Sequence, residues 1–133
     1  MSRNAVLYLA TLAVLLGLDI PFLGLVAKGF FQSQVGDMLG PLRPVPAVVF
    51  YLVYAAGILV FVSAVEGATI RSTLIYGALF GLFAYATFDL TVLAVLRHWT
   101  WPVAFVDVAW GSFVTAVSAT AGLIIANALT RVG

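Results

Sequence analysis

Cysteine is missing altogether from the 133 residues, and histidine occurs once, at His98. The first absence excludes disulfides, thiolate metal sites and a cysteine nucleophile. The second excludes a zinc or iron centre built from several imidazoles. Charge is almost as scarce: Asp, Glu, Lys and Arg make up 8% of the chain, the formal net charge is +1, and Lys28 is the only lysine. That leaves no basic stripe for nucleic acid and no polybasic cluster for an anionic lipid surface. A soluble domain carries about 25% charged residues. Here 64% of residues are hydrophobic and the mean hydropathy is +1.18. Such a chain cannot coat itself for water, so its surface must face lipid.

What is present is organised in four apolar runs, about residues 4–27, 46–65, 73–96 and 103–127. Each has roughly the ~20 residues that a helix needs to cross ~30 Å of hydrocarbon. The runs are continuous rather than alternating, which excludes a transmembrane barrel. The expected fold is all-α: a single domain, residues 1–133, forming a four-transmembrane-helix bundle with both termini on one side. The opening MSRNAVLYLATLAVLLGLDIP has the single arginine and apolar run of a signal peptide. It continues past Asp19 to Ala27 without a small-residue cleavage site, so it is expected to stay as the first span. The connection 28–45 is the long one. Phe31, Val35 and Leu39 recur at helical spacing, and Gly40-Pro41 with Pro44 and Pro46 follow. That pattern predicts a short interfacial helix that then stops and turns the chain into the second span. Arg3, Arg71 and Arg131 on one side balance Lys28, Arg43 and Arg97 on the other, so the positive-inside rule selects no orientation.

Three of the spans contain one charged residue each, and each time it is aspartate: Asp19, Asp89 and Asp107. At 1.5 Å per residue, Asp19 lies ~13 Å before Lys28, Asp89 ~12 Å before Arg97 and Asp107 ~8 Å past Pro102, so all three share one layer away from the termini. The second span brings Tyr51 and Tyr54 to similar depth. Tyr85 stands one turn before Asp89, and Trp110 one turn after Asp107. Gly77, Gly81, Tyr85 and Asp89 share one helical ridge; Asp107, Gly111, Thr115, Ser118 and Gly122 share another. Small residues let helices approach closely in a membrane, so Gly77, Gly81, Gly111, Ser118 and Gly122 are expected at helix–helix contacts and the aspartates inside the bundle. Pro21 leaves the Gly17 carbonyl without its helical donor beside Asp19.

Each intramembrane aspartate costs ~2.5–3.5 kcal/mol on insertion, which the apolar content outweighs. The carboxylates are therefore open to two readings: interhelical hydrogen bonding to tyrosine, Trp110 or backbone, or a site for a ligand, cation or proton. Arg97, His98, Trp99 and Trp101 read as interfacial anchors, with His98 as a proton relay toward Asp107 the sharper alternative. Ser112, Ser118 and the threonines have no histidine base within a helical turn and read as packing residues, so no catalytic residue is expected. No metal and no cofactor are expected either. Glu66 and Arg71 flank a short turn where they could pair. LDIPFLGLVAK and FDLTVLAVLR each place Asp eight or nine residues before a base, a weak sign of duplicated helix pairs.

Three stretches, YLVYAAGILVF (51–61), GALFGLFAYATFDLTVLAVLRHW (77–99) and VDVAWG (106–111), closely resemble a family of small bacterial membrane proteins catalogued as a domain of unknown function, DUF 2177. AKGFF and DIPFLG fit it too, and the resemblance covers nearly the whole chain. It implies four spans and a bacterial inner-membrane location, and supplies no chemistry. Against the family pattern, this chain has Phe22 where Trp is usual, Phe88 where Tyr is usual and Val92 where Asn is usual; Pro21 is also unusual. Each of the first three changes removes a hydrogen-bonding group near the aspartate layer. The expected role is a non-enzymatic accessory or binding subunit in the lipid bilayer, packing against membrane partners or an amphiphilic ligand. The alternatives are a small transporter or proton-coupled carrier, and a lipid-modifying enzyme or enzyme subunit.

Overall fold

The computed structural model describes residues 2–36 and 43–130, the side chains of residues 26–28, 31 and 32 apart. Among the described residues there is no β-strand, and four helices are long and apolar enough to cross a membrane. Helix α1 spans Arg3–Pro21 and is capped by the Ser2 side chain, which accepts from the Ala5 backbone N–H at 3.2 Å. At Pro21 a backbone donor is lost, and from Phe22 to Phe31 the helix widens to a π-helical pitch. It then tightens into the short α2, Gln32–Val35.

The expected interfacial helix therefore begins as a direct continuation of the first span, without a break near Lys28. Val35 is fully buried, and the Thr100 hydroxyl donates to Gln34 Oε1 at 3.3 Å, which ties this continuation to the loop before the last helix. The remainder of the expected interfacial segment, including Asp37, Leu39 and Gly40-Pro41, lies outside the described residues, as does the Phe31 side chain.

Helix α3 runs Pro44–Ile58, two residues earlier than the hydropathy suggests, because proline is well suited to the first helical turn, where its missing N–H costs nothing. A π-helical turn, Leu59–Ser63, finishes it. Gly67, with φ +79°, makes the turn to α4, Ile70–Val95. There Thr69 and Ser72 form a reciprocal capping box, so α4 starts before the apolar run does. Glu66 and Arg71 are both exposed, and no ion pair joins them. Helix α5, Trp101–Thr130, returns to the starting side. The Arg3 guanidinium donates to Thr130 Oγ1 at 3.0 Å and to Asn127 Oδ1, so the start of α1 and the end of α5 lie at the same end of the bundle.

Helix α5 is the central element, packed along α4 and α1, while α3 rests on α1 and the side of the bundle. The approach of α4 and α5 depends on glycine. A β-carbon on Gly81 would collide with the Gly111 carbonyl oxygen and lie 2.7 Å from Thr115 Oγ1; one on Gly77 would lie 3.1 Å from Ala116 Cα. Between α1 and α5, Gly122 accommodates Thr11, whose Cα would be 3.0 Å from an added β-carbon. Leu15, Ile58, Val62, Val114 and Ala119 fill the middle, and Leu7, Leu59, Leu123 and Ala126 the end near the termini. Large apolar side chains such as Val53, Phe61, Phe83, Phe105 and Leu129 are exposed around the circumference, which suits a surface solvated by lipid.

Candidate functional site

The aspartate layer is assembled by all four long helices, but its members do not behave alike. Asp19 is buried and receives two donors from two other helices. The Trp110 indole N–H of α5 donates to Oδ1 at 2.7 Å, and the Tyr51 hydroxyl of α3 donates to Oδ2. Phe22, one turn on from Asp19, stacks flat on Trp110 at 4.3 Å between centroids and 4° between planes. The widened backbone after Pro21 thus begins at the residue that covers the clamp.

Tyr54, on the next turn of α3, shares a 2.6 Å hydrogen bond with the Thr115 hydroxyl and is not directly bonded to any aspartate. Its ring meets Tyr85 edge-on at 5.9 Å. Tyr85 lies against the α5 backbone where Gly111 has no side chain: a β-carbon there would collide with the tyrosine ring. The glycine ridges that bring α4 and α5 together therefore also set Tyr85 in place. Its hydroxyl makes no hydrogen bond among the described residues.

Asp89 and Asp107 form a second group. Asp89 is fully buried, neither carboxyl oxygen accepts a hydrogen bond, and its neighbours are the Asp107 carboxyl and the Trp99 indole. Trp99 is folded back, edge-on to Phe88 at 6.4 Å, with its N–H buried and unpaired. Of the four residues expected as interfacial anchors, Arg97, His98 and Trp101 are exposed and only Trp99 turns inward. Asp19 and Asp89, the matched positions of the suspected repeat, thus sit in unlike surroundings.

Between these groups lies a cavity of about 350 Å³, lined by Asp19, Phe22, Leu23, Phe50, Tyr51, Ala84, Tyr85, Phe88, Asp107 and Trp110. Leu23, Phe50 and Phe88 are 47%, 43% and 55% exposed, so the rim faces the lipid side of the bundle while the polar groups line the interior. The opening follows from helix placement. Helix α4 packs on Leu59–Ser63 but hardly on Pro44–Ile58, and rings bridge the gap, with Tyr54 on Phe80 at 5.5 Å. Phe22 and Phe88 both line it.

The sequence pointed to the polar members of this cavity and, among its apolar ones, to Phe22 and Phe88, but not to Leu23, Phe50 or Ala84. Phe50 and Ala84 carry no sequence signal, being ordinary residues in apolar runs. Toward the termini, the Thr11, Ser63, Thr73, Ser118 and Thr120 hydroxyls are buried without hydrogen-bond partners among the described residues.

A family model described as "Predicted membrane protein (DUF2177)" matches residues 4–124. No curated protein and no solved structure matches the chain.

Proposed function

The chain belongs to the DUF2177 family of predicted membrane proteins, and from that premise we propose that it is a non-enzymatic binding or accessory subunit of a bacterial cytoplasmic membrane, holding an amphiphilic molecule in the cavity between its helices. One observation carries the reading. The cavity of about 350 Å³ falls in the size range of small-molecule sites, opens past Leu23, Phe50 and Phe88, and presents the Tyr85 hydroxyl and the Asp107 carboxyl, whose one hydrogen-bonding side chain among the described residues is the neighbouring Asp89. A polar interior behind an apolar rim suits a molecule with a polar head and a hydrocarbon body. Asp19, already hydrogen-bonded by Tyr51 and Trp110, serves to hold α1, α3 and α5 around that space.

Native mass spectrometry after gentle detergent extraction tests the proposal. The expected result is an amphiphile retained by the wild-type protein and lost from Ala84→Trp, which places a large side chain in the cavity while α4 keeps its glycine contacts. Release with no adduct in the wild-type protein, under conditions that preserve the fold, overturns it.

The buried hydroxyls of Thr11, Ser63, Thr73 and Ser118 favour one second reading, a proton-coupled carrier, because they extend polar groups toward the terminal side. In proteoliposomes carrying a pH gradient, such a carrier shows proton flux that Asp107→Asn abolishes. Flux equal to that of empty vesicles removes this reading.

A further inference from the structure

The cavity has a sign. Two carboxyls, Asp19 and Asp107, line it, and among the described residues no arginine, lysine or histidine does. Asp107 accepts no hydrogen bond from tyrosine, tryptophan or backbone; the Asp89 carboxyl lies within hydrogen-bonding reach of it, and Asp19 and Tyr85 are its other polar neighbours. Asp89 is itself wholly buried with both oxygens unpaired. Carboxyls grouped in this way, in a medium of low dielectric, repel when both are ionised. A positive charge brought in by a ligand supplies what the chain does not.

The walls narrow the class of cation. Phe22, Phe50, Tyr51, Tyr85, Phe88 and Trp110 contribute six aromatic rings around the two carboxyls. Aromatic faces attract a diffuse organic cation but offer few oxygen ligands of the kind that a hard metal ion needs. The space of about 350 Å³ holds roughly a dozen non-hydrogen atoms at the ~30 Å³ that one water occupies in the liquid. That is enough for a substituted ammonium and the first carbons of a chain, and the remainder can pass the exposed rim into lipid.

On these grounds, and resting on the amphiphile reading above, we infer that the cavity binds hydrophobic cations of the alkylammonium class, with Asp107 as the counter-ion and the aromatic walls around the head. An anionic head would meet carboxyls with no compensating base. A neutral head would supply no counter-charge to the pair when both carboxyls are ionised.

The test compares three probes of equal chain length, decyltrimethylammonium, decyl maltoside and decyl sulfate, binding to the intact protein in phosphatidylcholine nanodiscs. Protein-free nanodiscs provide the partitioning background. The expected result is at least ~10-fold tighter binding of the ammonium than of either other probe, abolished in Ala84→Trp and reduced at least ~10-fold in Asp107→Asn. Phe88→Leu removes one aromatic wall at an exposed position and is expected to weaken the ammonium several-fold (about 3-fold or more) while leaving the maltoside unchanged. It keeps the inference open to refutation if Asp107→Asn does not fold. Equal binding of all three probes, still blocked by Ala84→Trp, overturns the cation inference and leaves the amphiphile reading standing. Binding of none overturns both. Ammonium binding that is indifferent to both Asp107→Asn and Phe88→Leu removes the assigned determinants and overturns the inference.

Discussion

Gly81→Ala is expected to lower bundle stability by about 3 kcal/mol, although alanine is the better helix former by about 1 kcal/mol. The reason lies across the interface. The new β-carbon would collide with the Gly111 carbonyl oxygen and lie 2.7 and 2.8 Å from the Oγ1 and Cβ of Thr115. A carbonyl in a helix cannot turn aside as a flexible side chain can, so α4 and α5 must separate. Separation also loosens Tyr85 over Gly111. Gly17→Ala is the control, since nothing lies within 4 Å of its added carbon, and it is expected to be neutral or slightly stabilising. Reversible unfolding in mixed micelles ranks the two. If Gly81→Ala proves as stable as Gly17→Ala, the close approach of α4 and α5 is wrong.

Asp19→Asn is expected to destabilise the bundle by about 1–2 kcal/mol, and the loss is expected to be shared with Tyr51 rather than independent of it. The carboxylate accepts from Trp110 on one oxygen and from Tyr51 on the other. An asparagine keeps one acceptor and turns an amide donor toward the second donor, leaving one buried group unpaired. The insertion cost of the aspartate does not offset this. It is present in both the separated and the packed helices, so it largely cancels when only bundle assembly is measured. A double-mutant cycle with Tyr51→Phe reads the interaction directly. Additive effects of the two substitutions would contradict the hydrogen bond, whereas coupling close to the full effect of Tyr51→Phe is the expected outcome. Tyr54→Phe, whose hydroxyl bonds Thr115 instead, is expected to combine with Asp19→Asn additively.

Gly81 and Asp19 illustrate different degrees of legibility. The ridge Gly77, Gly81, Tyr85 and Asp89 is readable because helical periodicity puts residues four apart on one face, and the close α4–α5 contact follows from residue size. What periodicity leaves open is the partner. Gly122 reads as a packing residue, but that it takes Thr11 of α1 rather than a residue of α4 is a fact of bundle order. In the same way the depth of Asp19, Asp89 and Asp107 is readable from rise per residue, whereas their division into one hydrogen-bonded carboxylate and one unpaired group is not. Trp99 reads as an interfacial anchor because tryptophan is common there, and it turns inward because the five-residue connection between α4 and α5 places it against Phe88. The expected first span passes Pro21 and ends at Ala27, before the charge of Lys28; the helix instead runs on through Phe31 at the wider pitch that begins after Pro21.

The sequence by itself determined that this chain lives in lipid, in four helical spans, with acidic and aromatic groups at one depth. Those properties depend on composition, run length and rise per residue, which are local and additive. Only the tertiary structure decided that α3 stands off from α4 at one end, that Phe50 and Ala84 meet Asp107 and Trp110 across that gap, and that Asp107 and Asp89 lack the donors that Asp19 has. Cavities and unpaired charges are properties of which helices neighbour which and at what rotation, and apolar runs that look alike to every local rule carry little of that information.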